Sequence, residues 1–204
     1  MVVSVHDILK ISSGTPFITS GYLPSWTKDA IKAAPYVVVR RGSVKYHKIP
    51  IGLRGDTRQQ RQAAFLLAES IEAVFTPEDL VDPALWQRHT HLIDLGIADR
   101  LQAVDRCFSG IPLSWGIGGS VGFELISGRE VVGTESDIDI IMKASLPLRK
   151  GLFADLKEKL DSLPFKTDVL LETPNGAISL DELIAGRFPM VLRTPEGPRL
   201  IDHL

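Results

Sequence analysis

Asp137 and Asp139 stand two residues apart in TESDIDIIMK, a stretch otherwise rich in branched apolar residues. Ile138, Ile140 and Ile141 favour a strand, where aspartate is normally depleted. Side chains two apart on a strand point the same way. The two carboxylates would therefore share a face, within about 6–7 Å of each other. Like charges that close repel, and one pKa rises unless a cation sits between them. Magnesium suits such a place, because it takes one or two carboxylates and fills its shell with waters and substrate phosphates. The plainer alternative is a strand start, with Ser136 and Asp137 as turn residues and Asp139 as an edge charge. Upstream, GIGGS at 116–120 reads as the end of a strand running into a helix. Gly119 would let backbone N–H groups approach an anion at the helix N-terminus, and Ser120 would add a hydroxyl. The alternative there is an ordinary glycine turn with a serine cap. Downstream, Asp168 lies in FKTDVLLE, the next expected strand, where it serves the site or pairs with a lysine such as Lys166. Three carboxylates on neighbouring strands beside a phosphate-binding turn describe a nucleotide-handling site.

The elements that must position these residues follow an alternating pattern in the second half. The order there is strand (115–117 region), glycine turn, short helix ending at Gly128, strand with Asp137 and Asp139, amphipathic helix over 148–163, and strand with Asp168. The remainder reads as a helix, a short hairpin and a tail, which makes an α/β arrangement. In the first half, 4–11 reads as a short helix or extended piece, and 23–34 as a helix with Ser25 as a candidate N-cap. Strands are expected at 36–41, ending in Arg40 and Arg41, and at 45–53 after a Gly42–Ser43 turn. Residues 54–75 read as a helix capped by Asp56 or Thr57, because Ala64, Leu67, Ala68, Ile71 and Phe75 follow helical spacing. TPEDLVDP at 76–83 is the candidate boundary, and 84–108 reads as mostly helical. The expectation is an α+β (α/β) protein with two domains, a small α+β domain at 1–80 and a mixed-sheet domain at 81–204.

The composition is that of an ordinary soluble globule. A formal net charge of -2 argues against a general duplex-DNA binder, so no nucleic-acid partner is expected. One cysteine, Cys107, allows no internal disulfide, and no Cys/His cluster has zinc spacing. No run approaches the ~20 apolar residues of a membrane span, and the N-terminus lacks the pattern of a signal peptide. A cytoplasmic protein with no membrane partner is expected. His89 and His91 lack a third ligand and make a poor metal pair. Trp26, Trp86 and Trp115 read as packing residues, as do Phe123 and Leu125, and Cys107 as a small buried hydrophobe.

Gly119-Ser120, Asp137-x-Asp139 and a lone Asp168 on a following strand resemble the DNA polymerase beta-like nucleotidyltransferase superfamily. A closer resemblance spans nearly the whole chain. HDILKI, LPSW, VVVRRG, IPIGLRGDTRQQRQA, TPEDL, GSVGFELISG and SDIDIIM together resemble the phosphoribosyl-dephospho-CoA transferases of malonate decarboxylase systems, also called holo-[acyl-carrier-protein] synthases. Ser127 stands before Gly128 where a threonine would be expected, and the hydroxyl is retained. The resemblance implies a polymerase-beta-like domain behind the N-terminal one. It implies transfer from 2'-(5''-triphosphoribosyl)-3'-dephospho-CoA to a serine of the apo acyl carrier protein subunit, with release of pyrophosphate. On that reading Asp137, Asp139 and Asp168 are the catalytic and metal-binding residues, one or two Mg2+ ions are the cofactor, and Gly119 and Ser120 hold the triphosphate. Arg54, Arg58 and Arg61 would clamp phosphates of the donor, since guanidinium forks suit them. They could instead form a solvated basic face paired with Asp56 and Glu69, or dock an acidic carrier protein. Two alternatives stand beside the transferase: another polymerase-beta-like nucleotidyltransferase acting from an NTP, and a non-catalytic module that binds nucleotide or carrier.

Overall fold

The computed structural model describes residues 2–43, 47–145, 148 and 150–203. Lys45 and Tyr46 of an expected strand, Arg149 of an expected helix and the terminal Leu204 lie outside them. Among the described residues, the strands form two sheets, one of five and one of six.

The first sheet uses β1 (Ile8–Ile11), β2 (Tyr36–Val39), β3 (Lys48–Arg54), β4 (Arg61–Leu67) and β5 (Ile71–Phe75), in the order β4-β3-β2-β1-β5. All its pairings are antiparallel. One face buries Leu9, Ile11, Val37, Val39, Ile51, Leu53, Ala64 and Leu66. Against this face pack Trp26 and Ile31 of helix α1 (Trp26–Ala33). Ser25 precedes that helix but makes no side-chain cap, and Thr27 Oγ1 donates to Pro24 O instead, at 2.7 Å. Arg40 and Arg41 fall just beyond β2.

The largest departure from expectation lies at 54–75, where no helix forms. The chain turns at 55–60, runs back as β4, makes a 3-10 turn at Ala68–Ser70 and continues as β5. Ala, Leu, Gln, Arg and Glu are good helix formers, so local propensity favoured a helix. The same stretch also carries a period of two: Ala64 and Leu66 are buried while Arg61, Ala63 and Phe65 face outward. Seven residues of β4 pair in register with β3, from Lys48↔Leu67 to Arg54↔Arg61. Burial of the alternating face and that ladder override propensity. Asp56 and Thr57 therefore cap no helix, and Arg58 and Arg61 share no helical face.

The second half begins with a packed segment rather than a loose linker. Thr76 and Asp79 form a capping box on a 3-10 turn at Pro77–Leu80, and Leu80 is fully buried. A Cβ on Gly116 would lie 2.3 Å from the Pro77 carbonyl carbon, so only glycine lets the next sheet come this close. Helices α2 (Pro83–Trp86), α3 (Thr90–Asp94) and α4 (Ile97–Phe108) follow. The second sheet has the order β11-β10-β9-β8-β7-β6. It comprises β6 (Trp115–Ile117), β7 (Ile138–Lys143), β8 (Thr167–Thr173), β9 (Gly176–Ser179), β10 (Met190–Thr194) and β11 (Gly197–Ile201). Helix α5 (Gly119–Ser127) links β6 to β7, α6 (Lys150–Asp161) links β7 to β8, and α7 (Leu180–Ala185) follows β9. The β7–β8 pair, joined by α6, is parallel and the other pairings are antiparallel. The protein is thus α+β with a mixed sheet in its C-terminal part.

Alternation along β7 and β8 divides the second sheet. Ile138, Ile140, Met142, Val169 and Leu171 point into a core with Leu156 and Leu160 of α6 and Leu101 and Val104 of α4. Ile8 of the first sheet belongs to this same core, with Tyr36, Val38 and Phe75 packed on it. Trp86 is buried and donates Nε1–H to Leu80 O at 2.7 Å, while Trp115 stacks on Phe108. Trp26 packs under the first sheet, so all three tryptophans serve packing. Cys107 is only half-buried, contrary to expectation.

Candidate active site

Strand β6 ends at Ile117, and the turn that follows is tied to β7: Gly118 N–H donates to Asp139 O at 2.9 Å. Gly119 then adopts φ +60°, and a Cβ there would lie 1.5 Å from Asp139 Oδ2. Glycine therefore does two things at this position. It tolerates the left-handed backbone, and it brings the N-terminus of α5 against a carboxylate of β7. No side chain caps α5 at that end, and the first N–H groups of a helix have no partner within it.

Asp139 and Asp168 are register partners across the parallel β7–β8 pair. Asp137 precedes Ile138, the first residue of β7, so one carboxylate of the pair lies in the approach to the strand rather than within it. Lys166 reaches Asp137, with Nζ 3.3 Å from Oδ2, and not Asp168. Asp137 and Asp139 are both half-buried, and Asp168 is exposed. Burial first, then the charges of Asp137 and Asp168, push the Asp139 carboxyl up to about 6, against the opposing pull of Arg54 and Arg61. Among the described residues no three His, Cys, Asp or Glu side chains already converge as a metal-ligand group.

The facing wall comes from the first sheet. Arg54, the last residue of β3, donates from Nη1 to Gly119 O at 2.9 Å and lies 5.3 Å over the Phe123 ring. Phe123 thus packs as expected and also supports a guanidinium. Burial and the neighbouring Arg61 lower the Arg54 pKa to about 10, which leaves it charged at neutral pH. Arg61 stands directly opposite Arg54 in the β3–β4 ladder. Like charges so placed destabilise a sheet unless something negative lies between them.

One cavity of about 640 Å3 gathers these groups. Arg54, Arg58, Arg61, Gly119, Ser120, Asp137, Asp139 and Asp168 all line it. The structure therefore brings together every residue singled out from the sequence, although Arg58 and Arg61 arrive on a turn and a strand instead of a helix. Carboxylates beside a helix N-terminus on one wall and guanidinium groups on the other can hold a polyanion and its counter-cation at once.

Several residues of the site went unnoticed in the sequence. Glu124, on the inner side of α5, is buried, and it accepts from Val131 N–H at 2.7 Å, Val132 N–H at 2.9 Å and His91 Nδ1 at 2.6 Å. It pins the start of the loop whose residues Val131 and 133–136 line the cavity. Its signal was a lone acid in the apolar helix GFELI. His91 serves this carboxylate, which raises its pKa through the hydrogen bond. Arg129 ion-pairs with Asp56 and donates to Arg54 O at 3.3 Å, holding the arginine turn. Asp56 thus has an arginine partner, though not one of the three expected. His6 also lines the cavity and, with Arg41, contacts Glu172 of β8.

Two family models match the chain. Phosphoribosyl-dephospho-CoA transferase MdcG N-terminal domain matches residues 4–77, and the C-terminal domain of the same family matches residues 84–204. A phosphoribosyl-dephospho-CoA transferase of Pseudomonas syringae pv. tomato is 34% identical over 203 residues, covering 98% of this chain and 92% of the relative. One from Pseudomonas putida is 33% identical, covering 88% and 84%, and one from Klebsiella pneumoniae is 32% identical, covering 86% and 83%. No solved structure matches the chain. Family models along both halves and relatives matched over most of their length lead to one conclusion: the chain belongs to the phosphoribosyl-dephospho-CoA transferase family of enzymes.

Proposed function

We propose that this enzyme transfers the phosphoribosyl-dephospho-CoA group from 2'-(5''-triphosphoribosyl)-3'-dephospho-CoA to a serine of the apo acyl carrier protein subunit of malonate decarboxylase, releasing pyrophosphate. The carrying observation is the register pair Asp139↔Asp168 lying in one cavity with Gly119, whose turn rests against Asp139, and with Arg54 and Arg61. That is a place for a polyphosphate beside acidic oxygens.

The donor set fits magnesium. Its ligands are hard oxygens, and Asp139, raised chiefly by burial, also feels the negative charges of Asp137 and Asp168. Magnesium rarely takes an all-protein cage and relies on waters and phosphates, so a ready-made trio of ligands is not required. Asp137 and Asp139 would hold one or two Mg2+ ions, which when bound neutralise phosphate charge and lower the pKa of the attacking hydroxyl. Arg54, Arg58 and Arg61 bind the phosphate oxygens as a charged wall. Gly119 and Ser120 offer backbone N–H groups and a hydroxyl to the triphosphate tail. In the transfer, the serine Oγ forms a bond to the α-phosphorus and the bond to the bridging oxygen of the β-phosphate breaks. Pyrophosphate leaves, and the serine proton passes to Asp168, which stands exposed at the mouth where a carrier can reach it. In the alternative to the base role, Asp168 would be a third carboxylate toward the metal.

Residues 1–80 and 81–204 are read as two domains that meet at the donor. No helix among the described residues is long and apolar enough to cross a membrane. The proposal has the enzyme meet its carrier in the cytoplasm. The test is intact-mass analysis of apo carrier protein after incubation with enzyme, Mg2+ and the triphosphoribosyl donor. A gain equal to the prosthetic group supports the proposal. A gain from ATP alone would make the enzyme a different nucleotidyltransferase, and tight donor binding without any gain would make it a binding module.

A further inference from the structure

A second hollow, of about 460 Å3, continues from the carboxylate cavity along the first sheet. The two share His6, Arg54, Arg61 and Gly119. Register builds its floor: Val38 of β2 lies opposite Gly52 of β3, and Gly52 lies opposite Ala63 of β4. Residues directly opposite one another share a face. A valine, a glycine without a side chain and an alanine therefore stand in a row, spanning two strand spacings or about 10 Å. Their neighbours Val37, Leu53 and Ala64 point to the other face, into the core beneath α1. A Cβ on Gly52 would meet Arg40 Cδ at 3.2 Å, so the missing side chain lets the Arg40 stem lie close over β3.

The rim of this strip is cationic. Arg40 and Arg61 both line it, both are exposed, and neither has an ion-pair partner among the described residues. A free phosphate would need only the arginines, and an apolar ligand only the floor. An apolar surface made by Ala63, the exposed part of Val38 and the Arg40 stem over Gly52, flanked by guanidinium groups and opening onto the phosphate cavity, suits a nucleotide-linked diphosphate that extends away from a triphosphate.

We propose that this strip binds the dephospho-CoA portion of the donor, with adenine over Ala63 and against the Arg40 stem that covers Gly52, and the diphosphate against the Arg40 guanidinium. The assignment rests on the transferase reading for the identity of the donor. It makes the first sheet the part of the enzyme that distinguishes this donor from an ordinary NTP, because an NTP lacks the second diphosphate.

The test measures binding to the full chain of two separate probes, dephospho-CoA and inorganic tripolyphosphate with Mg2+, by titration calorimetry. Ala63→Leu fills the floor, and Arg40→Ala removes the rim charge. Both positions are exposed, and unchanged melting temperatures confirm that the fold survives. Each variant should weaken dephospho-CoA binding at least tenfold and leave tripolyphosphate affinity within about twofold. Wild-type affinity for dephospho-CoA in both variants, or no binding by the wild type at millimolar concentration, overturns the assignment. The transfer reading fails separately: a wild type that binds dephospho-CoA on the strip but adds no mass to any carrier keeps this inference and loses that one.

Discussion

Gly119 leaves no room for even a methyl group, because its Cβ would occupy the position of the Asp139 carboxylate. Gly119→Ala must push the carboxylate or the N-terminus of α5 aside by an ångström or more. Misplacement on that scale costs about 100-fold in rate. The variant should lose about that much in kcat/KM while its far-UV circular dichroism stays unchanged, and a fully active variant would contradict the geometry. Asp168 acts differently, being exposed and opposite Asp139 on the neighbouring strand. In its proposed role as base toward the incoming hydroxyl, it would contribute to the transfer step more than to donor affinity. Asp168→Asn should lower kcat by about 100-fold or more, with the donor dissociation constant changed by less than about threefold. Single-turnover kinetics and equilibrium binding separate the two effects, and a defect confined to binding would remove Asp168 from the base role.

Helix α5 works as a bracket at both ends. Its N-terminus faces the cavity, and its C-terminus stops at Gly128 in the left-handed conformation, with Ser127 Oγ donating to Phe123 O at 2.7 Å. Glu124, between them, ties the following loop to the helix through two backbone N–H groups. Glu124→Ala leaves those donors without an acceptor near the core and strands His91. Unsatisfied buried groups cost about 1–3 kcal/mol each, so the variant should lose about 3 kcal/mol in urea denaturation. It should also raise the KM for the donor, because loop residues 133–136 line the cavity. A stability loss with unchanged KM would limit Glu124 to a role in folding.

The two halves are held together by a shared core at Ile8 and by ion pairs that cross between the sheets. These pairs differ in worth. Asp56 is 80% exposed, so its pair with Arg129 contributes at most about 1 kcal/mol. Glu172 is 18% exposed and meets Arg41, 17% exposed, and His6. Burial pushes the Glu172 pKa up, but the hydrogen bonds from His6 and Arg41 outweigh it and hold the net value below the ordinary 4.5. A carboxylate with a depressed folded pKa stabilises the fold above its unfolded pKa and ceases to do so as pH falls through the folded value. Wild type should therefore be more stable than Glu172→Gln at pH 7, and the gap should close as pH drops from about 4.5 toward 3. Thermal melts across that range check it, and a gap independent of pH would assign the effect to packing alone.

The chemistry was legible in the sequence because it depends on local spacing. Asp137-x-Asp139, Gly119-Ser120 and Asp168 each sit at a strand end or turn that short-range patterning marks. The second half could be read in order for the same reason, since its strands are flanked by glycine turns and amphipathic helices. The first half could not be read so directly. Residues 61–75 carry helix-forming side chains whose apolar positions fit two periods, and only pairing, of 61–67 with β3 and of 71–75 with β1, chose the strands. That choice set Arg61 opposite Arg54 and turned both toward the carboxylates. Glu124, His91, Glu172 and Arg129 gain their roles from partners far along the chain, which no local pattern encodes. The amino-acid order by itself determined which groups are present and the turns that present them. The tertiary structure decided which of them meet, because opposing charges become a site only when residues of the two sheets line one cavity.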